Sequence, residues 1–230
     1  MATILNIETS TEVCSTVLSQ NGECLLELIH SEGMSHAVNL PLFIQETLDF
    51  VKSNDLKLDA VAVSSGPGSY TGLRIGVSSA KGLCFGAGIP LIAVDTLKIM
   101  ANGAIHHKQF NQNDILCPMI DARRMEVYSV CYNKHLKQIV PTSASIVDKS
   151  FMSDFRGTEH NFYFFGNGAN KCVELLADTT TFLIDNIVPS AKDMFPLAEI
   201  AFENRQFEDV AYFEPFYLKE FMATVAKPKL

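Results

Sequence analysis

The sequence predicts an α/β protein of two lobes, each a degenerate βββαβα unit, and three observations lead there. First, short apolar and β-branched stretches alternate with amphipathic helical stretches in the order βββαβαβ over the first half of the chain. Second, the scheme recurs: the strand-end acids Glu8 and Asp121 stand 113 residues apart, and the glycine turns at Gly66 and Gly166 stand 100 apart. Third, 230 residues at 47% hydrophobic and 19% charged leave room for two packed cores. The split falls into an N-terminal lobe, 1–101, and a C-terminal lobe, 102–230.

The elements follow in order. Residues 3–8 form a strand ending in Glu8, and the chain turns and returns over 13–19. Asn21-Gly22 then makes a hairpin turn, since both positions tolerate positive φ, and leads to a third strand at 24–30. Ser35 opens a helix over 36–52, in which Leu40, Phe43, Ile44, Thr47, Leu48 and Val51 recur at three- and four-residue spacing. The run 58–63, LDAVAV, reads as a buried parallel strand. It runs into SSGPGSYTGLRIG (64–76), where Gly66, Pro67 and Gly68 make a rigid turn and Ser69 or Thr71 caps a helix over 71–86. A strand at 90–94 closes the first set.

The second half gives strands at 115–120, 126–132 and 136–140. The stretch 142–156 blurs where a helix is due. A strand at 162–165 meets Gly166-Asn167-Gly168 and helix-like 169–177. A strand at 182–187, a helix at 191–204 and a tail from 212 complete the chain.

The net charge of −8 argues against this chain alone gripping a nucleic-acid backbone, which demands clustered Lys and Arg. Six scattered cysteines with no CxxC pair read as reduced core residues. The first residues carry no basic stretch followed by an apolar one, and no run of about 18 apolar residues occurs, so a cytoplasmic protein is expected.

Chemistry-bearing residues are few. Glu8, Thr9, Ser10, Gly66, Gly68 and Asp121 stand where strand-to-turn transitions could cradle a phosphate, yet the turn after Glu8 lacks glycine. Its second-lobe counterpart, Asp121-Ala122-Arg123-Arg124, carries two long cations instead of small residues. These six read as vestigial phosphate loops. Gly72, Gly76 and Ala80 fall at i, i+4 and i+8 of the second helix and make a bare stripe for close approach by the sheet or a partner helix. A metal pair on the first helix would want a second histidine one turn after His36, where Leu40 stands. Ser69 follows its glycine directly, so no GxSxG elbow exists.

Two βββαβα units facing across a cleft describe the architecture of actin, Hsp70 ATPase domains and sugar kinases. At SSGPGSYTGLRIG the sequence resembles the bacterial TsaB (YeaZ) family. ILNIETST, His36 before an apolar helix, IDARRMEVY (120–128) and PFYLKE (215–220) support the likeness in the family's order. The departures are Glu8, where the family more often has Asp, and Tyr70, where Phe is common.

The resemblance implies a non-catalytic subunit with no cofactor of its own, ATP and metal belonging to partners. That subunit dimerises with a TsaD-like transferase for N6-threonylcarbamoylation of adenosine 37 in tRNAs reading ANN codons. A TsaE-like ATPase joins the complex, tRNA is reached only through it, and the chain alone is a potential homodimer. The implied partner face lies on the helices 36–52 and 71–86 and comprises His36, Leu40, Phe43, Ile44, Gly72, Leu73, Gly76 and Ala80. The alternatives are a small-molecule kinase or ATPase of the same fold, and a glycoprotease-like metalloenzyme.

Overall fold

A computed structural model describes residues 2–31, 35–148, 151, 159–172 and 180–219. The first sheet joins β1 (Thr3–Glu8), β2 (Cys14–Gln20), β3 (Glu23–His30), β4 (Ala60–Gly66) and β5 (Leu91–Asp95) in the order β3-β2-β1-β4-β5. β1 to β3 form an antiparallel meander, and β4 and β5 run parallel to β1. Asn21 and Gly22 take the positive φ values that the hairpin turn requires.

Alternation along β1 and β4 divides their side chains between two helical layers. Leu5, Ile7, Val61 and Val63 meet α1 (His36–Ser53) and α2 (Tyr70–Ala87). Ile4, Ala60 and Ala62 meet α3 (Thr96–His107) and α4 (Ala191–Glu203).

The second sheet repeats the first. It joins β6 (Asp114–Asp121), β7 (Glu126–Asn133), β8 (Gln138–Ile146), β9 (Asn161–Phe165) and β10 (Thr181–Ile184) in the order β10-β9-β6-β7-β8. β6 pairs antiparallel with β7 and parallel with β9, as β1 does with β2 and β4. The duplication read from the 113- and 100-residue offsets is therefore a duplication of topology, and the two-sheet α/β architecture is the actin-like one.

Three expectations are corrected. α3 was not foreseen. Eight of its twelve residues are buried, because Ile99 packs on the first sheet while Leu97, Met100, Ala101 and Ala104 pack on the second. A helix wedged between two sheets is apolar on nearly every side and shows no 3.6-residue stripe.

The boundary at 101/102 does not follow the packing either. α4 lies on β1, β2 and β5 of the first sheet, Glu208 N donates to Leu91 O at 2.9 Å, and Val210 and Phe213 join the α1–α2 core. The chain thus returns to the first lobe over 191–216. Finally, β8 extends to Ile146, into the stretch that the sequence left blurred. Of the helix expected at 169–177, residues 170–172 form one 3-10 turn, and 173–177 lie outside the described residues. Among the described residues, no helix is long and apolar enough to cross a membrane.

Candidate functional site

The site anticipated at the two strand-end turns begins at Glu8, where β1 ends against β2. Glu8, Thr9 and Ser10 are completely buried. Glu8 Oε1 accepts from the Ser10 backbone N–H at 2.5 Å, and the Ser10 and Ser64 hydroxyls lie beside the carboxyl. Burial pushes the Glu8 carboxyl up from its ordinary 4.5 to about 7, against hydrogen bonding by Ser10, which favours the charged form. Burial, with the Glu8 charge added, raises the neighbouring Cys14 thiol to about 11.

The glycine-rich turn lies directly on this one. β4 ends at Gly66, whose φ of +106° suits only glycine, and the Gly66–Pro67 peptide is cis. Ser69 N donates to Ser10 O at 2.6 Å, and the Ser69 hydroxyl caps α2 by accepting from Gly72 N at 3.2 Å. A side chain at Gly68 would collide with the Ser10 carbonyl. Thr9 Oγ1 donates to Gly72 O at 2.8 Å, and a Cβ at Gly72 or Gly76 would run into Thr9. From the other helix, His36 Nε2 donates to Thr11 O at 2.7 Å. The glycine stripe therefore receives the chain's own first turn.

This placement corrects the expected partner face. His36, Leu40, Gly72, Leu73, Gly76 and Ala80 are buried inside the lobe, and only Phe43 and Ile44 are half-exposed. The large apolar residues that α1 and α2 turn outward are Val38, Leu42 and Phe85, with exposures of 65%, 62% and 85%.

The second turn is closed in its own way. Asp121 N donates to the Asn167 side-chain oxygen at 2.9 Å, and Gly168 packs on Ile120 as Gly68 packs on Ser10. The Lys171 ammonium fills the turn, donating to Asp121 Oδ1 at 2.5 Å, Arg124 O at 2.8 Å and Glu126 O at 2.6 Å. Between the two turns, the gap lined by Thr11, Glu12, Met100 and Asn167 measures about 10 Å³. That is scarcely room for one water, whereas a small-molecule pocket runs to hundreds of Å³. A larger groove of about 760 Å³ lies elsewhere, between the β2–β3 turn, the end of α3 and α4.

The tail ties the two turns together. Phe216 N donates to Ser65 O at 2.7 Å, the Tyr217 ring lies 4.8 Å from that of Tyr70, and Lys219 pairs with Glu126. The structure thus keeps Glu8, Thr9, Ser10, Gly66 and Gly68 in one cluster and places Asp121 in a separate one. Sequence reasoning missed Ser64, Asn167, Lys171 and Phe216. Asn167 and Lys171 were accessible through the 100-residue offset, which sets them against Pro67 and Thr71.

Comparison with known proteins gives a consistent set of relatives. The family model for TsaD, tRNA N6-adenosine threonylcarbamoyltransferase, matches residues 31–227. The tRNA threonylcarbamoyladenosine biosynthesis protein TsaB of Escherichia coli (strain K12) is 31% identical over 227 residues, covering 96% of each chain. The TsaB of Buchnera aphidicola subsp. Acyrthosiphon pisum (strain APS) is 27% identical over 208 residues, 88% of this chain and 90% of its own. The solved structure of YeaZ from Pseudomonas aeruginosa matches with a TM-score of 0.78 at 27% identity, over 95% of this chain and 100% of that one.

Proposed function

Because this chain belongs to the TsaB (YeaZ) family, we propose that it is a non-catalytic subunit of a cytoplasmic tRNA-modifying complex. In this reading it dimerises with a TsaD-like transferase and permits N6-threonylcarbamoylation of adenosine 37 in tRNAs that read ANN codons. ATP and metal are brought by partners, a TsaE-like ATPase among them, and the chain binds no cofactor itself.

One observation carries the reading. The outer faces of α1 and α2 expose Val38, Leu42 and Phe85, while the inner faces of the same helices are spent on clamping the first turn. Large apolar side chains held out on a rigid helix pair fit a protein partner. Two further features support the absence of chemistry here. The first turn is packed by the protein's own Thr9, Ser10 and Gly72, and the second by Lys171, where a nucleotide-binding relative of this fold would need open space. Leu40, one turn after His36, is buried and offers no ligand.

The test is to purify the chain with the TsaD homologue of its host and follow both by size-exclusion chromatography. A heterodimer is expected with the wild type and is lost with Phe85→Asp or Leu42→Asp, whose melting temperatures stay at the wild-type value. The same two substitutions should shift any homodimer of the isolated chain to monomer. Threonylcarbamoylation by the TsaD homologue at full rate without this chain would sink the proposal.

A further inference from the structure

The tail that joins the two turns also gathers cations and aromatic rings on one surface. Arg74 on α2 lies over the Tyr70 ring at 4.8 Å, and Tyr70 in turn packs on Tyr217. Two residues on, Lys219 reaches Glu126 of β7, whose neighbour Tyr128 feels the charges of Lys219 and Arg123. Arg123 and Arg124 follow at the tip of the second turn. Both are exposed, and both hold positive φ, +70° and +52°, a backbone that residues other than glycine adopt uncommonly. Three of the chain's five arginines are therefore brought to one side of an acidic protein.

The local charges do not cancel. Lys171 is matched by Asp121 and Lys219 by Glu126. Among the described residues, Arg74 and Glu214 both act on Tyr217, while Arg123 acts with Lys219 on Tyr128. Phe216 and Tyr217 add ring surface that is 47% and 37% exposed. Guanidinium forks match phosphate oxygens, and exposed rings beside them accept unstacked bases, which is the recurring recognition of single-stranded RNA.

We infer that Arg74, Arg123, Arg124 and the rings of Phe216 and Tyr217 form a contact surface for an unpaired RNA strand. The inference rests on the tRNA-modification reading and goes beyond it, since it has this chain touch the RNA within the complex. The net charge of −8 keeps affinity low until a partner supplies further contacts, so the surface positions a strand that others hold.

The test uses the complex of this chain with its TsaD-like partner and a fluorescein-labelled, unmodified tRNA transcript, with anisotropy measured over a series of salt concentrations. Arg123→Asn/Arg124→Asn removes both charges while keeping a residue type that tolerates positive φ, and Arg74→Gln removes the third on a separate element. The double variant should weaken binding about tenfold or more and lower the slope of log K against log salt by about 1.4. Co-elution with the partner and the melting temperature should not change. Affinity and slope equal to wild type in both variants overturn the inference. So does a polyglutamate peptide that displaces the RNA and binds the chain in its place.

Failure of the partner reading shows separately, as a wild-type chain that does not co-elute. The surface is then read on the chain alone at low salt with a short single-stranded RNA, where the double variant must lose the binding that the wild type shows.

Discussion

The Thr9 hydroxyl donates to the carbonyl of Gly72 at 2.8 Å, and the space that it occupies is the space that Gly76 leaves open one turn further along α2. Glycine lowers helix stability by about 1 kcal/mol relative to alanine, so two glycines here call for a compensating contact. Thr9 supplies it. Gly76→Ala should therefore destabilise the protein by about 1–3 kcal/mol despite its gain in helix propensity, because the added methyl meets a buried hydroxyl with no room to move. Gly82 is the control, since a methyl there meets nothing within 4 Å. Gly82→Ala should stabilise by about 0.5–1 kcal/mol. Urea denaturation of both variants measures the difference, and equal midpoints would show that the first turn yields freely.

Glu8 makes stability depend on pH. Its carboxyl is completely buried and raised from 4.5 to about 7, so the folded chain holds this proton where the unfolded chain has released it. Below about pH 4.5 both states are protonated and the contribution is fully present. As pH rises through 7 the folded carboxyl must ionise in a dry site, and the contribution is lost, roughly 3 kcal/mol in all. Glu8→Gln carries a neutral side chain of the same shape. It should flatten the fall in urea midpoint between pH 5 and pH 8 and should exceed the wild type in stability at pH 8. A variant that keeps the wild-type slope would assign the pH dependence to other groups.

The N-terminal half was legible because each element has a local signal. Asn21-Gly22 fixes its own turn, Ser69 fixes the start of α2, and the alternation of Leu5 and Ile7 with Ile4 fixes the two faces of β1. What a bare stripe faces is a tertiary fact. Gly72, Gly76 and Ala80 read equally well as a seat for a partner or for the chain's own Thr9, and the sheet had already claimed them. α3 was hidden for the same reason, its 3.6-residue period erased by burial between two sheets. Lys171 has no local pattern of its own, since its partners lie some 45–50 residues away, and only the 100-residue offset that sets it against Thr71 points to it.

Lys171 can be tested directly. Its ammonium is the donor that Asp121, Arg124 O and Glu126 O share, and it is 20% exposed. Lys171→Met keeps the stem and removes the donor; Glu126 O keeps the Ala122 N–H at 3.0 Å and Asp121 Oδ1 the Arg123 N–H at 2.6 Å, while the Arg124 carbonyl must find water. Asp121 is half-exposed and hydrates readily, so the cost falls mainly on the Arg124 carbonyl, about 1–3 kcal/mol. Amide exchange over 122–127 should quicken in this variant, while β1 and β4 exchange as in the wild type. Equal exchange in the two proteins would mean that the turn stands without its cation.

The thiols give a last, simple reading of the same packing. Cys14, Cys84, Cys117, Cys131 and Cys172 are buried, and Cys24 on the edge strand β3 is exposed. Burial raises the Cys14 and Cys84 thiols to about 11, and burial together with Cys131 Sγ, 3.4 Å away across β6 and β7, holds the Cys117 thiol well above its ordinary value. The thiolate is the reactive form, so all five are protected by burial, and Cys14, Cys84, Cys117 and Cys172 by ionisation as well. Ellman's reagent at pH 8 should titrate one fast equivalent in the native protein, and Cys24→Ser should remove it. The remaining five should react only as fast as the chain opens, with a rate that rises in sub-denaturing urea. A second fast equivalent would place a breach in one of the two cores, and its position, found by peptide mapping, would say which lobe opens first.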